Sequence, residues 1–180
     1  MVEVIILNGG SSSGKTTVAK NLQNSLSAPW LRFSIDDLVE ALPDAMVDED
    51  SGITFGSDGS VTPGTAFRSL ERAWMHGIAE MARTGARVIV DDVFISGIDA
   101  RNRWESAMKG LHVLWVGVYC DAAVASAREN ARGDRVAGMA ASQATVVHVG
   151  MQYDITIDAT DTSPEECAHL IAQQISGYMA

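Results

Sequence analysis

Positive charge is what this 180-residue chain lacks most. Three lysines (Lys15, Lys20 and Lys109) and ten arginines stand against 23 acids, for a formal net charge of −10. A general nucleic-acid binder or a membrane-surface binder needs a net basic face, so neither partner is expected, and any polyanion must be held locally. Cysteine is almost as scarce. Cys120 and Cys167 lie in different segments, with neither metal-ligand spacing nor a disulfide framework, and read as buried free thiols. The four histidines, His76, His112, His148 and His169, have no mutual spacing that suggests a metal site or a triad. Long apolar runs are missing too. "MVEVIILNGG" is too short and wrongly flanked for a signal peptide, and no segment approaches a membrane span. These absences point to a cytoplasmic protein. What is present, 47% hydrophobic residues, suffices to close one sizeable core, so residues 1–180 are expected to form a single domain.

Short apolar runs bounded by turn residues recur along the chain. "VEVIIL" (2–7), "WLRFSI" (30–35), "ARVIVDDV" (86–93), "LHVLWVGVYC" (111–120) and "YDITID" (153–158) read as buried strands. Helical patterns fall between them, at about 15–26, 36–42, 64–84, 99–109, 121–132, 135–147 and 163–177. Such alternation predicts an α/β domain with a five-stranded, mostly parallel sheet flanked by helices, and a ligand beyond the strands' C-terminal ends. "ITFGSDGSVTPG" (53–64) interrupts the rhythm with two short alternating runs around a Ser-Asp-Gly-Ser turn. It predicts a small inserted β-hairpin near 53–63, either inert decoration or one wall of a pocket.

"GGSSSGKT" (9–16) fits G-x-x-x-x-G-K-[ST] at every position, and it follows a strand and opens a helix, the context that gives the pattern meaning. The backbone of Gly9, Gly10, Ser11, Ser12, Ser13 and Gly14, continuing through Thr16 and Thr17, is expected to wrap nucleotide phosphates at a helix N-terminus. Lys15 would neutralise the β- and γ-phosphates, and the Thr16 hydroxyl would ligate Mg²⁺. A dinucleotide-binding unit would instead carry G-x-G-x-x-G, with an acid about twenty residues later on a ribose. The loop's length and its Gly-Lys-Thr ending belong to nucleoside triphosphates, so ATP with Mg²⁺ is the expected ligand and Asp36 loses the ribose role.

Two acid pairs end strands, Asp36–Asp37 and Asp91–Asp92. Neighbours at a strand end point to opposite sides, so one of Asp91 and Asp92 should face the metal. Asp92 is the favoured choice, with helix capping as the alternative for either. A kinase for a small molecule also needs a carboxylate on the acceptor side to take the hydroxyl proton, and Asp36 is placed for it. Asp37 is more simply a first-turn residue favoured by the helix N-terminus. "ARENARGDRVAG" (127–138) carries Arg128, Arg132 and Arg135, a cluster that suits a lid closing over phosphates, or else a solvated face paired with Glu129 and Asp134. The acceptor region offers Leu38, Met46, Phe55, Phe67, Trp74 and Phe94, an apolar set that favours a neutral, partly apolar acceptor, although each side chain taken singly is more often plain core.

"IILNGGSSSGK", "FSIDDLVEALP", "GARVIVDDVF", "VLWVGVYCD" and "ARGDRVAGMA" together resemble the chloramphenicol phosphotransferase family, in register over nearly the whole chain. The resemblance implies a three-layer P-loop kinase fold and ATP-dependent phosphorylation of the primary hydroxyl of chloramphenicol, an antibiotic-inactivating reaction. It places the family's catalytic base on Asp36, its phosphate loop on Gly9 to Thr16 and its lid arginines on Arg132 and Arg135. The chain is most individual at residues 43–66, the acceptor region, and a fold with its phosphate apparatus does not choose a substrate. A kinase of another small metabolite alcohol and a non-catalytic ATP-binding switch therefore stand as alternatives.

Overall fold

Five of the apolar runs assemble into one parallel sheet. The computed structural model describes residues 1–132 and 138–178. The strands are β1 (Val4–Asn8), β2 (Trp30–Ser34), β5 (Arg87–Asp92), β6 (Val113–Tyr119) and β7 (Ile155–Asp158), in the order β2-β5-β1-β6-β7. A separate antiparallel pair, β3 (Ile53–Phe55) and β4 (Val61–Pro63), forms the inserted hairpin. The helices are α1 (Lys15–Ser25), α2 (Ile35–Glu40), α3 (Thr65–Arg83), α4 (Ile98–Ala107), α5 (Ala122–Arg132), α6 (Met139–Val146) and α7 (Pro164–Tyr178). A 3₁₀ turn at Asp44–Met46, which the sequence pattern does not announce, leads into the hairpin. Of the helix expected over 135–147, the first residues lie outside the described residues. Among the described residues no helix is long and apolar enough to cross a membrane.

The period-2 alternation of the strands divides the core into two layers. Ile5 and Leu7 of β1 point to one face of the sheet, where Val18 and Leu22 of α1 and Ile171 and Ile175 of α7 cover them. Val4 and Ile6 point to the other, against Met75 and Ile78 of α3 and Trp104 of α4. All four β1 residues are fully buried, as a central strand with helices on both faces requires, and each such side chain contributes roughly 1.5–3 kcal/mol.

A third, smaller cluster of Leu38, Leu42, Ile53 and Phe67 ties α2, the hairpin and the start of α3 together beside the sheet. Its existence explains why the hairpin is held rather than loose. The hairpin's far end meets α6. Gly59 sits in the turn with φ of +80°, and a Cβ there would come within 2.3 Å of the Met139 backbone nitrogen, so the turn needs glycine both for conformation and for contact. Gly59→Ala is therefore expected to lower stability by about 1–3 kcal/mol, measured by thermal or denaturant unfolding. Ser57→Ala, at an exposed position of the same turn, should change it little.

Candidate active site

Parallel strands in register bring three loops out side by side. Asn8 stands beside Asp92 in the β1–β5 pairing, and Ser34 beside Asp91 in the β2–β5 pairing. The phosphate loop after β1, the acids after β2 and the acids ending β5 consequently share the C-terminal edge of the sheet, near the point where the strand order reverses and ligands of open α/β sheets bind.

In the loop itself, Ser12 holds a positive φ of 57° and Gly14 one of 89° before α1 begins at Lys15. Residues Gly10 to Thr17 line a cleft. Gly9 does not: a Cβ there would lie 2.6 Å from the Val118 carbonyl oxygen, so this glycine serves the close approach of β6. The Ser12 and Ser13 hydroxyls are buried without hydrogen-bond partners, a costly state for groups that a phosphate could engage. Gln143 of α6 accepts a hydrogen bond from the Ser11 amide at 2.8 Å, and so takes one of the loop's own anion-binding donors.

The β5 acids diverge as alternation requires. Asp91 is fully buried and pairs with the buried ammonium of Lys15, and its Oδ2 has no hydrogen-bond partner. Asp92 turns to the opposite face, accepting from Trp104 Nε1 and from the Val93 amide, both at 2.6 Å. Burial pushes its carboxyl up to about 6, with the charge of Glu71 adding to the rise, against the bond from Trp104 and the attraction of Lys15. Both acids thus touch the phosphate apparatus, Asp91 through Lys15 and Asp92 as part of the cleft lining. Thr16 and these two carboxylates supply the hard oxygen donors that Mg²⁺ prefers. Together with the orphaned Ser12 and Ser13 hydroxyls and Asp91 Oδ2, they fit a nucleotide with its divalent cation.

At the end of β2 the two acids take different tasks. Ser34 caps α2, its Oγ accepting from the Asp36 amide at 3.2 Å, while Asp37 Oδ2 accepts from the Ser34 amide at 2.7 Å. This capping box spends the carboxylate of Asp37. The Asp36 side chain, half-buried one residue earlier, lines the cleft with Lys15.

The cleft's other wall is largely the hairpin region: Ile53, Phe55, Val61, Pro63 and Phe67, with Ile35 and Val39 of α2. Of the apolar residues expected there, Phe55 and Phe67 take that position and the others do not. Phe94 is fully buried, packed edge-on to Trp115 with ring centroids 6.3 Å apart, because Asn8 Oδ1 accepts its amide hydrogen bond at 2.9 Å and draws the chain inward. Trp74 lies further along α3 than the cleft and packs against Trp104 at 5.6 Å. Met46 packs against the third apolar cluster rather than lining the cleft.

Of the clustered arginines, Arg132 lines the cleft. Arg128 braces the phosphate loop from outside it, donating to the Ser13 carbonyl at 3.4 Å and to the Ala159 and Thr160 carbonyls at 2.9 and 3.2 Å. Arg135 lies outside the described residues. Glu129 is turned inward rather than onto a solvated face. Its buried carboxylate accepts from the Gly138 and Ala140 amides at 2.9 and 2.8 Å, fixing the start of α6.

The lining also contains Arg68, Glu71 and Arg103, so this side of the cleft is not purely apolar as the sequence suggested. The signal for Glu71 was an acid on the buried stripe of α3, in step with Phe67, Met75 and Ile78. Asn8 carries no such signal. Its amide donates to the Val147 carbonyl and to the Tyr153 hydroxyl, both at 2.7 Å. Burial pushes the Tyr153 phenol up to about 12, and its hydroxyl shares a hydrogen bond of 2.8 Å with His148 Nδ1. The loop's base is thereby tied to the segment that follows α6.

Known proteins resemble the chain along nearly all of its length. A family model described as chloramphenicol phosphotransferase-like protein matches residues 2–176. Two proteins of Mycobacterium tuberculosis (strains CDC 1551 / Oshkosh and ATCC 25618 / H37Rv), named provisionally as O-phosphotransferases, are 31% identical over 92% of this chain and 79% of theirs. Among solved structures, a sugar kinase from Janibacter sp. HTCC2649 superposes with a TM-score of 0.72 at 16% identity, covering 98% of this chain and 95% of its own. The Mycobacterium tuberculosis APS kinase, solved with AMPPNP and APS, superposes with a TM-score of 0.69 at 16% identity, covering 97% and 98%. At those identities the likeness establishes the fold, that of P-loop kinases.

The environment of Asp92 has a consequence for pH. Between 3.8 and about 6 the native carboxyl keeps a proton that the unfolded chain has lost, so stability falls as pH rises through that window. In the nucleotide-free protein, Asp92→Asn should remove this slope, worth about 1–3 kcal/mol. The melting temperature of the variant relative to wild type should rise from pH 4.5 to 7.5, and a difference flat in pH would contradict the assignment.

Proposed function

We propose a specific reaction for this chain, which belongs to the chloramphenicol phosphotransferase-like family and is on that ground a phosphotransferase: transfer of the γ-phosphoryl group of ATP to a hydroxyl of a small, mainly apolar alcohol of the amphenicol kind. The observation that carries this reading is the shared cleft of Lys15 and Asp36, closed on its other side by the hairpin's apolar residues. Water-activating enzymes need no such wall. A kinase does, because the acceptor must be held with its oxygen in line with the phosphorus and bulk water kept out.

In this reading the loop amides and the Ser12 and Ser13 hydroxyls hold the phosphates. Lys15 lies against the oxygens whose charge grows as the β–γ bond breaks. Thr16, with Asp91 or Asp92, would hold Mg²⁺, which would neutralise phosphate charge. Asp36 accepts the hydroxyl proton while the acceptor oxygen bonds to phosphorus and the bond to the ADP oxygen breaks, so that proton, phosphoryl group and leaving group are all accounted for. Arg132 approaches the transferred group from α5, and Arg135 is proposed to join it. The capping box supports the choice between the two acids, since the Asp37 carboxylate is already committed to the Ser34 backbone amide.

The test is an ADP-release assay with Mg-ATP and chloramphenicol beside a panel of other alcohols, with product mass locating the phosphoryl group on the primary hydroxyl. Asp36→Asn should bind ATP within about twofold of wild type while turnover falls by roughly 10²–10⁴. Undiminished turnover in that variant would remove Asp36 as the base. Release of ADP that is indifferent to every acceptor would remove the phosphotransfer reading.

A further inference from the structure

α3 buries an acid where its sequence period calls for an apolar residue. Glu71 is 5% exposed in a stripe otherwise made of Phe67, Met75, Ile78, Ala79 and Ala82. Two guanidiniums meet it. Arg68, one turn earlier, donates from Nη1 to Glu71 Oε1 at 2.7 Å. Arg103 of α4 places Nε 3.0 Å from Glu71 Oε2 and donates from Nη2 to Ser96 Oγ at 3.0 Å. The Nε–Oε2 contact lacks hydrogen-bond alignment, so both atoms are buried with that capacity unspent.

Such a cluster is a poor device for stability. Taking an Arg–Glu–Arg group out of water costs more than its attractions reliably return, and apolar replacements are often neutral or stabilising. Its position suggests another purpose. All three residues line the cleft that holds Asp36, Phe55 and Phe67. Two guanidiniums share one carboxylate, which leaves one positive charge in excess in a chain of net charge −10. A guanidinium has five N–H donors in a flat fork, and among the described residues Arg68 commits its Nη1 to Glu71. That fork matches planar groups with two oxygens in bidentate fashion, which an ammonium cannot do.

We infer that Arg68 and Arg103, aligned by Glu71, form an anchoring subsite for a planar two-oxygen group, nitro or carboxylate, on the acceptor. The inference rests on the reading of the cleft as an acceptor site. It assigns Glu71 as a positioning residue and the two arginines as determinants of acceptor choice. The hydroxyl end of the acceptor then faces Asp36, its apolar body lies on the hairpin, and its two-oxygen group meets the guanidiniums.

Binding separates this from the chemistry. Calorimetric titration of the intact protein with 4-nitrobenzyl alcohol, 4-(hydroxymethyl)benzoate and 4-methylbenzyl alcohol compares three acceptors of similar shape, and the first two distinguish nitro from carboxylate. Wild type is expected to bind at least one of the two-oxygen probes about tenfold or more tightly than the methyl probe, as a charge-assisted hydrogen bond provides. In Arg68→Met, Arg103→Met and Glu71→Gln that preference should shrink to within about twofold, with ATP affinity unchanged, because the apolar stems and the phosphate loop are retained. Arg68→Lys and Arg103→Lys keep the charge but lose the fork, and they carry the comparison if a Met variant fails to unfold cooperatively; they too should lose the preference. Equal or undetectable binding of all three probes by wild type overturns the inference, as does a preference that survives in the arginine variants. A preference present in wild type and lost in the variants, without acceptor-dependent ADP release from any alcohol, would leave the subsite standing and remove the phosphotransfer reading alone.

Discussion

A buried ammonium must have a counter-charge, and the arrangement of this protein follows from how Lys15 obtains one. The helix that carries Lys15 begins directly behind a loop of backbone amides, so the ammonium is delivered to the C-terminal edge of the sheet, where it is 7% exposed. Asp91, fully buried at the end of the neighbouring strand, supplies the opposite charge. Neither residue would tolerate burial alone, since each charge without the other costs several kcal/mol. The pair therefore couples the loop's position to the register between β1 and β5. Phosphate oxygens would compete with Asp91 for the same ammonium, and a divalent cation would compensate the carboxylate so released. The loop is in this sense built around a charge that a ligand replaces.

The same edge shows how adjacent acids acquire separate roles from short-range geometry. At β5 the alternation of a strand sends Asp91 toward α1 and Asp92 toward Trp104 of α4. At β2 the agent is different, because the chain has already turned into α2. There the capping box selects the residue three positions beyond Ser34, Asp37, and the residue before it is turned into the cleft. One pair is divided by a period of two and the other by the spacing of a helix's first turn. No special feature of the acids themselves is needed.

The hairpin converts an exposed phosphate loop into a walled cleft. It is anchored at its base by the cluster of Leu38, Leu42, Ile53 and Phe67 and at its tip by the contact of Gly59 with the start of α6. Glu129 fixes that start in turn, and Gln143, one helical turn on, reaches the Ser11 amide. Hairpin, start of α6 and phosphate loop are thus linked through a continuous set of contacts, two of them made by side chains to backbone amides. Arg68 and Arg103 bring positive charge into this wall on the scaffold of Glu71, and the cleft is accordingly an apolar slot with one polarised end rather than a uniformly greasy one.

Much of the fold was legible from pattern. Five buried runs separated by helical periods specify a parallel sheet with helices on both faces, and the observed strands agree with the expected ones to within two residues at every end. The phosphate loop was legible for a similar reason: its function depends on backbone amides and consecutive residues, so contiguous sequence contains it whole. Asp36 could be singled out because its place at a strand end is a local property. What only the tertiary structure decided is everything that depends on which way a side chain turns among distant neighbours. Phe94 and Trp74 look like pocket aromatics in sequence, but Phe94 is core and Trp74 packs partly buried at the core's edge, because Asn8 and Trp104, 86 and 30 positions away, hold them there. Arg128 looks like a phosphate ligand and is a brace. Glu71 and Arg103 come from different helices and meet only after both have packed on the same face of the sheet. Local sequence carries the period and the loop; the cleft's chemistry is set by contacts between segments far apart in the chain, and these exist only once the sheet has brought its strand ends together.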